Sequence, residues 1–192
     1  MTGSPIRLLT LVILGGLLAA CTAIAPGSRP TSLPELSIPA PTLPAERNYL
    51  GLKDSAGHFS FNDLKSRLTV IEIIMAQCPH CQREAPKMDA FYRLLAERGL
   101  QDQVRIFAIA LGNTPFETGL YKERYQVPFP IIPDPGGTLL RVDATPTLYI
   151  IEPDSGGGSR ILHQEAGILS TPEELIEITQ KLLRKQKTAR RP

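Results

Sequence analysis

The chain has 192 residues, with 21 Lys and Arg against 19 Asp and Glu, 18 prolines, three cysteines and no tryptophan. A net charge of +2 with few clustered basic residues offers no electrostatic footprint for nucleic acid. Three cysteines are too few for a disulfide scaffold, and no apolar run reaches the roughly 20 residues that a membrane-crossing helix needs.

In chain order, residues 1–20 come first. Arg7 is their only charged side chain, and the apolar run 8–18 suits the core of a signal peptide. The run ends in Leu18-Ala19-Ala20-Cys21. Small residues ahead of a cysteine resemble the lipobox of bacterial lipoproteins. That resemblance implies that Cys21 is diacylated and becomes the mature N-terminus, anchoring the chain to a membrane. An ordinary secretory signal, with Cys21 an incidental thiol, is the alternative. If Cys21 carries lipid, Cys78 and Cys81 alone remain for thiol chemistry, in an exported and oxidising compartment. Losing Arg7 lowers the net charge by one, from +2 to +1.

Residues 21–48 read as the lipidated cysteine and a tether, with prolines at 26, 30, 34, 39, 41 and 44. That spacing admits no long helix, and the expectation is a segment without packing. Extended at about 3.1 Å per residue, ~25 such residues reach roughly 75 Å. Residues 49–187 suffice for one domain with a core, and 188–192 form a basic tail.

The domain alternates strands and helices. A short strand at 58–61 precedes a helical turn with Asn62 as a candidate cap. The run 68–76, Leu-Thr-Val-Ile-Glu-Ile-Ile-Met-Ala, has the apolar, β-branched character of a strand buried on both faces. A helix follows from Pro79 to about Glu97, then a strand over 104–111, a shorter helix over 115–125, and a Pro-rich loop with little strand over 127–137. A hairpin over 147–166 leads to a last helix whose Thr171, Pro172 and Glu174 form a capping box. The order predicts an α/β fold: a central mixed sheet with helices on both faces.

The stretch 78–81, Cys-Pro-His-Cys, lies where the buried strand meets the helix. Such a pair serves as a redox dithiol, as half a metal site or as two inert thiols. At a helix N-terminus, free N–H groups and the helix dipole favour a thiolate at Cys78. Cys81, one turn on, can attack a mixed disulfide formed by Cys78. His80 can add positive charge beside that thiolate. A local bridge across so short a loop stabilises little, which argues against a structural use.

Strand, Cys-Pro-His-Cys, helix and a distant Thr145-Pro146 before a hairpin resemble the thioredoxin superfamily. The run 81–86, Cys-Gln-Arg-Glu-Ala-Pro, is similar to the Cys-x-x-Glu-x-Pro continuation of its membrane-anchored TlpA-like branch. The resemblance implies a thioredoxin-like fold and thiol–disulfide oxidoreductase activity without a cofactor. It implies a cis Pro146 facing Cys78, with the Thr145 backbone pairing to a substrate segment. Glu72, six positions before Cys78, stands where many thioredoxins place a buried acid that shuttles a proton for Cys81. Implied partners are exported protein thiols or disulfides and a membrane redox protein that recycles the dithiol, with the domain facing the periplasm. Pro79-His80 leans the site toward oxidation, whereas TlpA-like relatives are commonly reductants. Two departures stand out: Gln77 replaces the usual aromatic before the first cysteine, and Met75 stands where a peroxiredoxin carries threonine. The competing class is a Cu(I) carrier using Cys78, Cys81 and a histidine, although copper-delivering relatives separate their cysteines by three residues. A structural zinc needs four closed ligands.

Overall fold

A computed structural model describes residues 31–154 and 158–189. Cys21 and the apolar run before it lie outside the described residues, as do 190–192. Among the described residues, no helix is long and apolar enough to cross a membrane.

The elements are β1 (Ser32–Leu33), β2 (Ile38–Pro39), α1 (Pro44–Leu50), β3 (His58–Phe59), a 3-10 turn (Phe61–Asp63), β4 (Leu68–Ile74), α2 (Pro79–Glu97), β5 (Val104–Leu111), α3 (Pro115–Arg124), β6 (Ile131–Asp134), β7 (Thr147–Pro153), β8 (Ser159–Ala166) and α4 (Pro172–Ala189). Six strands form one sheet in the order β1-β8-β7-β4-β5-β6. β4 pairs parallel with β5 and antiparallel with β7, and β6 extends the parallel half. This is a thioredoxin-like α/β fold, and β4, central and buried at every position, is its axis.

Alternation along β4 divides the core. Leu68, Val70 and Ile74 face a layer built with Met88, Phe91 and Leu95 of α2 and Leu175, Ile176 and Leu183 of α4. Ile71 and Ile73 face the other way, against Leu33, Ile38, Leu50, Phe59 and Phe61. The second face is therefore covered by the N-terminal segment and its single short helix.

This corrects the reading of residues 31–48 as unpacked tether. Ser32 and Leu33 pair with Arg160 and Ser159, and Ile38 pairs with Phe59. Prolines forbid a long helix here but not two-residue strands, and Pro44 takes the first position of α1, where no N–H is needed. Arg47 then fixes the following loop by donating to the carbonyls of Pro41, Lys53, Asp54 and Ala56. Two smaller corrections follow. Ser60 rather than Asn62 caps the 3-10 turn, with Asp63 completing the box, and α4 continues to Ala189, into the expected basic tail. The Pro-rich loop supplies the edge strand β6.

Ile38 is fully buried against the sheet. Ile38→Ala is expected to lower unfolding free energy by roughly 2–5 kcal/mol, measured by chemical denaturation. A packing-free tether would leave stability unchanged.

Candidate functional site

β4 ends at Ile74, and a tight turn, in which the Cys78 N–H donates to the Met75 carbonyl at 3.0 Å, delivers the chain to α2. Cys78 is the N-cap of α2 with extended backbone, and Pro79 occupies the first helical position. The two thiols are free and unequal: Cys78 is half-buried and Cys81 is fully buried one turn deeper. Opposite them, Thr145–Pro146 is a cis peptide at the start of β7. The Cys78 thiol donates to the Thr145 carbonyl at 3.5 Å, while the Gly167 N–H holds the Pro146 carbonyl at 2.8 Å from behind.

Burial works against ionising Cys78. The N–H groups of Cys81 and His80, the Thr145 side chain and the Cys81 thiol outweigh it together, and the Cys78 pKa falls below the ordinary thiol value. Cys81 moves the other way: burial, reinforced by its hydrogen bond to Cys78 and by the Cys78 charge, pushes its pKa up to about 12. One sulfur is thus the more readily ionised while its neighbour is kept as a thiol.

His80 meets the thiol through its main chain. Its backbone N–H reaches Cys78, but its ring lies against Arg83, Nδ1 to Nη2 at 2.8 Å. At Cys78 the His80 backbone N–H acts beside the Cys81 N–H, the Thr145 side chain and the Cys81 thiol.

Glu72 lies in mid-β4, paired in register between Ala108 and Leu148. It is buried, and its Oε1 has no hydrogen-bond partner among the described residues. Burial, then the nearby charge of Glu84, raises its pKa to about 8. Among the described residues Glu72 forms no salt bridge. Glu84, in the run 81–86, is itself buried; its Oε2 pairs with Lys87 at 2.8 Å and accepts from the Leu169 N–H at 3.3 Å. Tyr121 donates to the Cys81 carbonyl at 2.9 Å, and its own ionisation is suppressed by burial first and then by Glu72 and Cys81. Glu72, Glu84, Tyr121 and Cys81 therefore share one buried neighbourhood behind the exposed sulfur.

The rim at Gln77 is rigidly wired. Asn113 accepts from the Ala76 N–H and donates to Gln77 Oε1, each at 2.8 Å. Gln77 Nε2 donates to Glu117 Oε1 at 2.8 Å, and Glu117 closes a capping box with Thr114. Beside this rim, a cavity of about 210 Å³ is lined by Gln82, Glu117, Leu120 and Tyr121 among others. Asn113, Glu117 and Tyr121 were not singled out from the sequence. Only Thr114-Pro115-Phe116-Glu117, spaced like the box at 171–174, signalled a helix start beside the cysteines. Among the described residues, no group of three or more His, Cys, Asp or Glu side chains is arranged to hold a metal.

Comparison with known proteins adds family and fold. The family model described as "AhpC/TSA family" matches residues 37–155. Among solved structures, StoA from Bacillus subtilis is 22% identical with a TM-score of 0.51, covering 66% of this chain and 91% of its own. A thiol:disulfide interchange protein of the thioredoxin family from Chlorobium tepidum is 19% identical with a TM-score of 0.54, covering 80% and 97%. A putative thioredoxin from Neisseria meningitidis is 20% identical with a TM-score of 0.53, covering 77% and 87%. A search of curated proteins returns no match.

Two outcomes are expected. Alkylation by iodoacetamide should follow a titration below the ordinary thiol pKa for Cys78, with Cys81 unreactive through neutral pH; equal rates at the two thiols would contradict the geometry. Glu72 holds its proton more tightly folded than unfolded, so its contribution to stability is full below the unfolded value near 4.5 and is lost as pH rises through about 8. Glu72→Gln should therefore gain stability over the parent progressively across that window, as read from denaturation midpoints at several pH values.

Proposed function

Because the chain belongs to the AhpC/TSA family, we propose that it is a thiol–disulfide oxidoreductase acting on exported proteins. The observation carrying this reading is the pairing of a half-buried, ionisation-prone Cys78 with a buried, protonated Cys81 across from the cis Thr145–Pro146 peptide.

The chemistry follows from that asymmetry. In the reducing direction, the Cys78 thiolate attacks a substrate disulfide, forming a mixed disulfide and releasing one substrate thiolate. Forming that bond removes the Cys78 charge that helped keep Cys81 protonated. The minor fraction of Glu72 that is ionised below its pKa of about 8 accepts the Cys81 proton. The Cys81 thiolate then attacks the Cys78 sulfur, closing the protein disulfide and releasing the second substrate thiolate. Run backwards, the same steps oxidise a dithiol. Thr145 supplies a backbone carbonyl beside Cys78 for an extended substrate segment.

Direction is set by the stability of the thiolate relative to the disulfide. The hydrogen bonds to Cys78 favour the reduced form and an oxidising potential. The leader and Cys21 support attachment to the membrane by lipid, with the domain in the cell envelope facing the periplasm and recycled by a membrane redox protein. Mass spectrometry of the mature protein tests the anchor: diacylated Cys21 is expected, and an unmodified residue removes it.

The enzymatic reading is tested by trapping. Cys81→Ser should accumulate mixed disulfides through Cys78 with exported proteins, resolved by dithiothreitol, whereas Cys78→Ser should accumulate none. Cu(I) retained stoichiometrically against a chelator by the parent and lost in Cys78→Ser, with no mixed disulfides from Cys81→Ser, would instead favour the metal carrier.

A further inference from the structure

The redox site occupies one end of the central sheet, since Cys78 follows the C-terminal end of β4 and Pro146 precedes the adjacent start of β7. The other end carries two features that the chemistry does not use. The first is the start of the described chain. The Ile161 N–H donates to the Thr31 carbonyl at 2.9 Å, and Ile161 is in register with Ile151, which pairs with Thr69 near the beginning of β4. From Thr69 to Ile74 is about 17 Å at ~3.3 Å per residue, and Cys78 lies beyond that. Only residues 22–30 separate Cys21 from Thr31. Fully extended, they reach about 30 Å, less than half of the tether expected from the sequence.

The second is the end of α4. Arg67, immediately before β4, donates through Nη2 to the Leu183 carbonyl at 3.0 Å, and Gln186 Nε2 returns a bond to the Arg67 carbonyl at 3.3 Å. These bonds place the last turns of α4 at the same end as Thr69. There the helix buries Leu183 and Gln186 and exposes Lys181, Arg184, Lys185 and Lys187. No acid follows Glu177 in the sequence, and none of the four cations is ion-paired among the described residues.

We propose that this pole faces the membrane, with the cationic end of α4 resting on anionic phospholipid headgroups and Cys78 directed to the aqueous side. The short lead makes this arrangement effective and rests on the reading of Cys21 as a lipid anchor; the cationic surface stands independently of it. Attraction between a basic cluster and an anionic leaflet acts within about a Debye length, ~8 Å. A lead of at most ~30 Å keeps the cluster at high local concentration above the lipid. Substrates then reach Cys78 from the aqueous compartment, as unanchored exported polypeptides do.

The test separates the two parts. The mature chain with Cys21→Ser retains every described element and has no lipid. It should co-sediment with vesicles of phosphatidylcholine and phosphatidylglycerol, not with phosphatidylcholine alone, and should be released by 0.5 M salt. Reversing Arg184, Lys185 and Lys187 to Glu should weaken partitioning by at least about 100-fold, taking roughly fivefold per cation, with the Cys78 alkylation rate unchanged. Absence of vesicle binding, binding insensitive to the reversal, or tighter binding to duplex DNA than to the vesicles would each overturn the proposal. An unmodified Cys21 in the native protein would remove the anchor but leave this result standing.

Discussion

The site depends on an abrupt change at Cys78, where a strand with no exposed residue becomes the first turn of a helix. A buried strand delivers the sulfur to a fixed point. The helix N-terminus supplies N–H groups that have no helical partners of their own, so a thiolate there completes hydrogen bonding instead of breaking it. Pro79 stabilises the junction because it has no N–H to satisfy. The next turn returns Cys81 to the interior, where the same charge is disfavoured. The difference between the two thiols is therefore a consequence of one helical turn of depth.

Much of this was legible in the sequence, and for identifiable reasons. The β-branched run 68–74, the proline after the cysteine and the hairpin signals after Pro146 are local patterns, and they sufficed for a mixed α/β sheet; the thioredoxin-like fold followed from the resemblance of Cys-Pro-His-Cys and Thr145-Pro146. Residues 31–48 were misread because proline spacing speaks about helices, whereas Leu33 and Ile38 acquire partners only when β8 and β3 are placed beside them. The rim was illegible for a related reason. Gln77 looked like a loss of the family's aromatic, but Asn113 and Glu117, some forty residues away, make its amide part of a fixed hydrogen-bonded edge. The direction of the His80 ring, laid against Arg83, is a rotamer choice that residue order does not encode.

The two ends of the sheet divide the labour of the molecule. One gathers the sulfurs, the cis peptide and the amide rim, with Glu72 and Glu84 buried behind them. The other gathers the start of the described chain and a basic helix end. The central claim concerns the first end: that Cys78 and Cys81 form one exchangeable two-electron couple. Equilibrating the mature chain with graded glutathione buffers and counting its free thiols measures that couple directly. The account predicts a single two-electron transition, both thiols lost together, within the range of about −270 to −120 mV spanned by thioredoxin-fold proteins. Thiols that persist through the most oxidising buffer, or that are lost one at a time to glutathione, would contradict it.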